Sequence, residues 1–497
     1  MPTDLERKKT LALRLLSMFL CTLLLLETVR VPAPASAASE TPPSAPCGPG
    51  CTGYDVVVIG SEIEGVLLAK EAHAAGLSVL ILDPREKPGG ELIQGQMLVL
   101  DEPNDNRKRS LVQGELKPLY DGYKAGNIRK LPAFESYYRK LIREIPLRSG
   151  ITIDGVEIED TDGQGTEQRK TLKSITYLAK DGKLYQVQAG YFVENTDFNA
   201  LTVHLGNPRI PGMESLYNGK KPDYMAATYM LRFKSVNWNK LHQAVLEDYP
   251  LTNVVKKYGA NTYVDWDFAT GFSNLTYNYR PRDSHLMLRG LNAMYQKDGE
   301  VIINSLLVYD VDPADPQSVR SAVARAKAEA PYIAKYLRKH IPGFGKAELN
   351  GYPDYLYIRD YNRYETDYVL NYKDVMSGRM FWDNVTVGGY TVDLQATRVV
   401  KKGIGYGKPD RYGIPLRSFE LKSYDNVLVA GKNIGAEIKA YGSARIIPTT
   451  ALAGETMGIL LGREWKQGHK RLSELTPGDF RRIHRYLKKD YDIRIDQ

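Results

Sequence analysis

Cysteine is almost missing from this chain: 497 residues contain 3, and none lies beyond residue 51. A disulfide-reductase type of redox relay needs a reactive thiol pair in the folded core, so that class is excluded. Cys21 falls in an N-terminal apolar run, and Cys47 and Cys51 fall in the segment CGPGC. Those two can form a disulfide in an oxidising compartment. A metal site is the weaker alternative, because no nearby His or Cys completes a tetrad, and no metal is expected. Clusters of Lys and Arg interleaved with aromatics are also missing, which removes the footprint of nucleic-acid binding. The net charge of +8 is modest. It leaves room for association with polyanions such as cell-wall polymers. Past residue 40 no apolar run is long enough to span a bilayer. Phenylalanine is scarce, with 11 residues against 34 Tyr. The tyrosines read either as a polar aromatic platform for sugar or aromatic substrates or as wet surface.

What is present begins with a targeting segment. Arg7, Lys8 and Lys9 precede a mostly apolar stretch from Leu11 to Leu26, and Ala35-Ser36-Ala37 supplies small residues for cleavage. Residues 1–37 therefore read as a secretory signal peptide, which implies a secreted or cell-surface protein. An uncleaved anchor is the competing reading, but the run is short and Arg14 interrupts it. No twin arginine is present, so the export route stays open. Residues 38–53, rich in Ser, Pro, Ala and Gly, read as a linker.

Residues 54–83, YDVVVIGSEIEGVLLAKEAHAAGLSVLILD, carry the main signal. An apolar strand from Val56 to Ile59 meets a Gly turn, a helix runs from Gly65 to Ala75, and a second apolar strand from Val79 to Leu82 ends at Asp83. A βαβ unit of about 30 residues with this Gly spacing is a dinucleotide-binding fingerprint. The helix N-terminus offers free N–H groups and a positive dipole end to a pyrophosphate. One position departs from the fingerprint: Glu62 stands where the middle glycine usually does.

A Gly-rich loop follows, with Gly89, Gly90 and Gly95 in KPGGELIQGQ. Phe134 to Ile145 has helical spacing. The segments 151–154, 174–178 and 184–188 alternate with turns and predict an antiparallel meander, followed by a separate strand from Tyr191 to Val193. From 208 to 385 the texture turns to Tyr-rich strands and one amphipathic helix from Ser318 to His340, which Pro331 should kink or split. The first texture then returns: a strand from Val427 to Ala430, a turn at Gly431 and a helix opening near Pro448.

Several segments, in order, resemble the bacterial FAD-dependent oxidoreductases with a glutathione-reductase-like fold of two dinucleotide-binding domains. They are VVVIGSEIEGV, GGELIQGQ, YFVENTDFNALTVHLG, RKHIPGF, YIRDYNRYETDYVLNYKDV, YGIPLRSFE and DNVLVAGKNIG…GSARIIPTTALAGETMGILL, and they span residues 54–462. The resemblance implies an α/β fold: a Rossmann-like FAD-binding domain with a parallel sheet and a β-meander, split over 54–207 and 386–465. It also implies an inserted mixed α+β substrate domain over 208–385, and a C-terminal helical tail covers 466–497. The implied activity is hydride transfer from a small organic substrate to bound FAD. Gly60, Ser61 and Gly65 would approach the pyrophosphate, Asp83 with Pro84 the adenosine ribose, and Gly89 and Gly90 the next part of the cofactor. Gly431 would sit by the ribityl chain. The helix at Pro448 and Thr449 would aim its N-terminus at the flavin pyrimidine end, with Arg445 adding a cation or serving a domain-interface ion pair.

Glu62 and Asp197, each in place of a usual Gly, mark the departures. A carboxylate buried beside a pyrophosphate is costly, so Glu62 is expected to turn away from the phosphates. The alternative is a non-catalytic flavin-fold surface or binding protein whose dinucleotide site has decayed, and a third reading uses NAD on the βαβ alone. Arg85 raises NADP as a lesser possibility. On the substrate side, Arg359 and Arg363 at i and i+4 can clamp a carboxylate or sulfate, or else tie the two domains together. His204, just after the polar loop, is read as packed or surface-exposed, with proton transfer as the alternative.

Overall fold

The computed structural model describes residues 51–160 and 169–496. The signal peptide, Cys21, Cys47, most of the linker and the turn at Asp162-Gly163 lie outside the described residues. Cys51 is disulfide-bonded. It already belongs to the first strand, β1 (Cys51–Ile59), so the last residues of the segment read as linker are paired in a sheet. Gly60 leaves the strand with φ +98°, a turn that a side chain would strain. The helix α1 (Ile63–Ala74) leads to β2 (Val79–Asp83). A one-turn helix α2 (Gly90–Ile93), the helix α3 (Leu131–Ile142) and the short strand β3 (Leu147–Ser149) follow. Then come β4 (Thr152–Asp160), β5 (Lys170–Leu178) and β6 (Leu184–Glu194).

The predicted meander is present, but its last strand and the predicted strand at 191–193 are one element. β6 pairs antiparallel with β5 through residues 184–188 and parallel with β1 along nearly its whole length, from Cys51↔Gln186 to Ile59↔Glu194. Alternation marks its half-exposed start and a continuous apolar run its buried end, so the sequence pattern breaks where the strand does not.

The second sheet is antiparallel. Its strands are β7 (Ala227–Lys234), β8 (Tyr263–Val264), β9 (Phe268–Gly271), β10 (Leu286–Leu288), β11 (Leu291–Tyr295), β12 (Val301–Val308) and β13 (Glu348–Leu349). They run in the order β13-β7-β12-β11-β9-β8, with β10 also on β12. A long helix α4 (Pro316–His340) covers this sheet. Asp315 caps it by accepting the Gln317 N–H, and Arg338, Lys339 and His340 face its negative dipole end. Pro331 does not split it; the helix is continuous from end to end.

The chain returns to the first sheet through β14 (Val427–Val429), which pairs parallel with β6 at Val427↔Phe192 and Val429↔Glu194. The parallel layer thus reads β3-β2-β1-β6-β14, with the meander branching from β6. Two helices follow, α5 (Ile438–Ala444) and α6 (Ile447–Leu460). Every residue of α6 is buried, because it is sandwiched between α1 and the rest of the core. Gly454 and Gly458 make that contact possible: a Cβ at either would run into the carbonyl oxygen of Glu64 or Leu68. A last helix α7 (Pro477–Asp490), capped by a Thr476–Asp479 box, docks through Phe480, Ile483 and Leu487. Among the described residues no helix is long and apolar enough to cross a membrane.

Gly458→Val should lower stability by about 2–3 kcal/mol through overpacking against α1, read from the urea midpoint. Gly155→Ala, at a position with nothing within 4 Å of the added Cβ, should change it by less than about 0.5 kcal/mol.

Candidate functional site

The parallel strands end along one edge, where open α/β sheets bind ligands. Gly60 N–H donates to the Leu82 carbonyl at 2.7 Å, Asn195 N–H to that of Ile59 at 2.7 Å and Ala430 N–H to that of Glu194 at 2.8 Å. These bonds bring the ends of β2, β1, β6 and β14 together. Gly60, Ser61, Glu62, Gly65, Asp83, Gly89, Gly90 and Gly431 all converge here, and all are buried. Pro84 follows at the rim, half-buried.

The surprise is what fills the edge. Glu62 sits at the N-cap position of α1, yet its side chain caps nothing in that helix. It turns onto the Gly89–Glu91 turn, accepts the Glu91 N–H at 2.8 Å and pairs with Arg85. A Cβ on Gly90 would coincide with the Glu62 carboxylate. Glu62 thus turns from its own helix to the second glycine turn. It packs on that turn, because Arg85 and a backbone N–H offer it more there than solvent does.

Asp83 is equally engaged. It accepts the Arg85 backbone N–H at 2.8 Å and Nε at 3.1 Å, takes Nη2 at 3.1 Å, and receives the Ser61 hydroxyl. Ser61 Oγ in turn accepts the Gly89 N–H at 2.9 Å. Arg85, weighed as a 2′-phosphate reader, is the buried counter-ion of Asp83 and Glu62. From the other chain segment Lys432 reaches Glu91 at 2.5 Å, and Thr450 Oγ1 donates to Glu64 at 2.8 Å. Asn195 covers the face of Gly65, where a Cβ would meet its side chain.

Charge accounts for the titration of this cluster. Burial alone would raise the Glu62 pKa, but Arg85 and Lys432 outweigh it and hold Glu62 below the usual carboxylate range. For Glu64 the balance goes the other way: burial, with Glu91 and Glu62 beside it, outweighs Lys432 and pushes it up to about 8. Burial also pushes Asp197 up to about 6, with Glu62 adding to it. Burial opposes protonation of Lys432, but Glu91, Glu62 and Asp197 hold its pKa well above the ordinary value.

At the N-terminus of α6, Thr449 Oγ1 and Arg445 Nε are buried without a partner. Arg445 donates to the Tyr357 hydroxyl at 2.9 Å and approaches Asp393 at 3.8 Å. The cavity lined by Glu91, Met97, Tyr357, Arg445 and Pro448 measures about 10 Å³. Arg359 and Arg363 are 2 % and 1 % exposed and do not share an anion. Arg363 pairs with Asp360 at 2.5 Å and stacks 3.9 Å over Tyr441, whereas Arg359 donates to the Ala226 carbonyl at 2.7 Å and to Asn304 at 2.9 Å. His204 lies exposed on a helical turn. Among the described residues no group of His, Cys, Asp and Glu is arranged to hold a metal ion.

The family model of FAD dependent oxidoreductases matches residues 55–484. No curated protein matches the chain. Among solved structures, a geranylgeranyl bacteriochlorophyll reductase-like protein from Thermoplasma acidophilum is 10% identical, with a TM-score of 0.38 over 89% of this chain and 85% of that one. The myxobacterial chondrochloren halogenase is 12% identical, with a TM-score of 0.37 over 89% and 81%. A flavoprotein/dehydrogenase from Cytophaga hutchinsonii is 10% identical, with a TM-score of 0.36 over 89% and 84%. All three scores lie below 0.5, so the assignment rests on the family match.

FAD is the cofactor that family implies. Where the resemblance would put the flavin, Arg445 Nε and Thr449 Oγ1 are unbonded. Where it would put the pyrophosphate, the residues do not fit one in this arrangement. The chain's own Glu62 occupies the Gly90 face, and Asn195 covers that of Gly65. The cavity by Pro448 has room for one water at most. Sequence reasoning flagged Glu62 and Arg445 but missed Lys432, Glu64 and Glu91. The last two sit beside flagged positions, in GSEIEG and GGE, where a buried acid is a signal in itself.

Arg85→Ala leaves Glu62 and Asp83 buried without their cation and should cost about 3–5 kcal/mol in denaturant unfolding. Glu64 titrates at a higher pH folded than unfolded, so its contribution to stability falls as pH rises from its ordinary value near 4.5 to about 8. Glu64→Gln should flatten the decline in Tm over that window.

Proposed function

The chain belongs to the FAD-dependent oxidoreductase family, a family of enzymes, and from that premise we propose an exported enzyme that oxidises a small organic substrate with FAD as electron acceptor. The observation that carries this reading is the convergence of the Gly60–Gly65 turn with the Gly431 and Pro448 segment at one sheet edge, closed by the glycine contacts of α6 on α1. Export is read from the targeting features of residues 1–37 and accords with a disulfide at Cys51. The basic net charge of +8 makes cell-wall association a further part of the proposal.

On this reading FAD uptake requires the Glu62 carboxylate to leave the Gly89–Glu91 turn, which frees Arg85 and the Glu91 N–H for an anion. The same filled cradle favours a second reading: a flavin-fold surface or binding protein that holds no dinucleotide.

Titration of the purified protein with FAD, followed by quenching of flavin fluorescence, separates the two. The enzyme reading expects saturable uptake that Glu62→Ala tightens by at least about tenfold, or 1.4 kcal/mol. No uptake by either the wild type or the folded Glu62→Ala variant sinks the enzyme reading and leaves the second. A reductant that bleaches the bound flavin, and a screen of sugars, amines and hydroxy acids for the same bleaching, then identify the substrate.

A further inference from the structure

Close to the unbonded Arg445 Nε the charge balance reverses. Arg359 Nη2 donates to Asn304 Oδ1 at 2.9 Å. Arg289 Nη2 donates to the carbonyl of the same Asn304 at 2.9 Å, and its Nη1 to Gln395 Oε1 at 2.8 Å. Gln395 Nε2 donates to Asp393 at 2.6 Å. Asp393 faces Arg445 at 3.8 Å, Arg445 donates to the Tyr357 hydroxyl at 2.9 Å, and the Tyr357 ring lies 4.7 Å under Arg359. The contacts close into a ring drawn from five separate stretches of chain.

This ring holds three guanidiniums and one carboxylate. Asn304, Tyr357, Arg359, Gln395 and Arg445 are all buried. A buried cation without a counter-charge is expensive, and chains seldom retain one without a use for it. Asp393 is a loose partner: its side chain is 34% exposed and stands beyond hydrogen-bond distance of Arg445. The nearby Asp101 is already engaged by the Tyr390 hydroxyl at 2.9 Å, and burial raises its pKa. Arg289 Nε and Arg445 Nε carry protons with no acceptor. Burial pushes the Arg359 pKa down to about 9, and Arg289 and Arg445 push the same way. Two unbonded guanidinium N–H groups beside an excess of positive charge are what a carboxylate binds.

We propose that Arg289, Arg359 and Arg445 form the recognition site for the carboxylate of an organic acid substrate, with Asp393 standing in its place when the site is free. This inference rests on the reading of the chain as an oxidoreductase of small organic substrates and narrows that substrate to an anion. Arg363 takes no part: its Nη2 is unbonded too, but Asp360 neutralises its charge and its guanidinium stacks on Tyr441. Asp393, whose side chain is partly exposed, marks the side from which the proposed ligand would enter by displacing it.

The test is a thermal-shift titration of the full exported chain with oxalate, against the neutral isostere oxamide and against sulfate, all without FAD. Oxalate should raise Tm saturably and oxamide should not. Arg359→Gln should remain folded, because it removes an uncompensated buried cation, and should weaken the oxalate response at least about tenfold. Asp393→Asn removes the internal competitor and should strengthen it. Equal responses to oxalate and oxamide, an unchanged response in Arg359→Gln, or a weaker one in Asp393→Asn each overturn the site. A sulfate response equal to that of oxalate overturns the carboxylate assignment. FAD is in neither arm, so failure here leaves the FAD titration to judge the oxidoreductase reading by itself.

Discussion

A carboxylate buried at the start of a helix has to be neutralised, and much of this protein's sheet edge is arranged around that requirement. Glu62 lies where the chain enters its first helix, on the face of the next glycine turn. Arg85 answers it, and Arg85 can do so only because Asp83 fixes its backbone and guanidinium at the end of the neighbouring strand. Ser61 locks Asp83 to the Gly89 turn. Glu91, drawn into the same space, brings Lys432 from the far end of the chain. The Glu91–Lys432 pair thus links two segments separated by more than three hundred residues of sequence. Removing one partner of such a network is expensive because the remaining charge keeps its desolvation and loses its compensation.

The two ends of the candidate site carry opposite charge. At the glycine turns, Glu62, Glu64, Glu91, Asp83 and Asp197 crowd around Arg85 and Lys432, and burial keeps Glu64 protonated near neutral pH. Toward the second sheet, Arg289, Arg359 and Arg445 lie around Asp393, with Asp101 nearby. Tyr357 lies between them, with its ring 5.5 Å from Lys432 and 4.7 Å from Arg359 and its hydroxyl on Arg445. On the proposed reading, the arginines attract an anion and the carboxylates at the glycine turns repel it until Glu62 moves. That gradient belongs to the arrangement of buried charges and not to the modest net charge of the whole chain.

Much of the fold was legible because its signals are local. The strand–glycine–helix–strand unit at 54–83, the meander, the long helix ending at His340 and the returning strand at 427 each depend on periodicity or on a turn residue. Errors came where a long-range partner overrides a local pattern. β6 is read as two strands because its burial changes midway, when it passes from the meander into the parallel layer. The linker reading extends into β1 because Cys51, Thr52 and Gly53 look like loop residues and are paired by β6 all the same. Pro331 is tolerated inside its helix because packing on the second sheet holds the turns on either side.

The candidate site divides along the same line. The sequence by itself determined the glycine turns, Asp83, the position of Glu62 and the existence of a second segment that completes the edge, since each is a residue type at a set distance from a predicted element. Only the tertiary structure decided where the Glu62 carboxylate turns, that Arg85 serves it, and that Arg359 joins Arg289 and Arg445 while Arg363 joins Asp360. The reason is physical. Spacing along a strand or helix sets the direction of a side chain, but the neutralisation of a buried charge is set by whichever residues of other segments reach it.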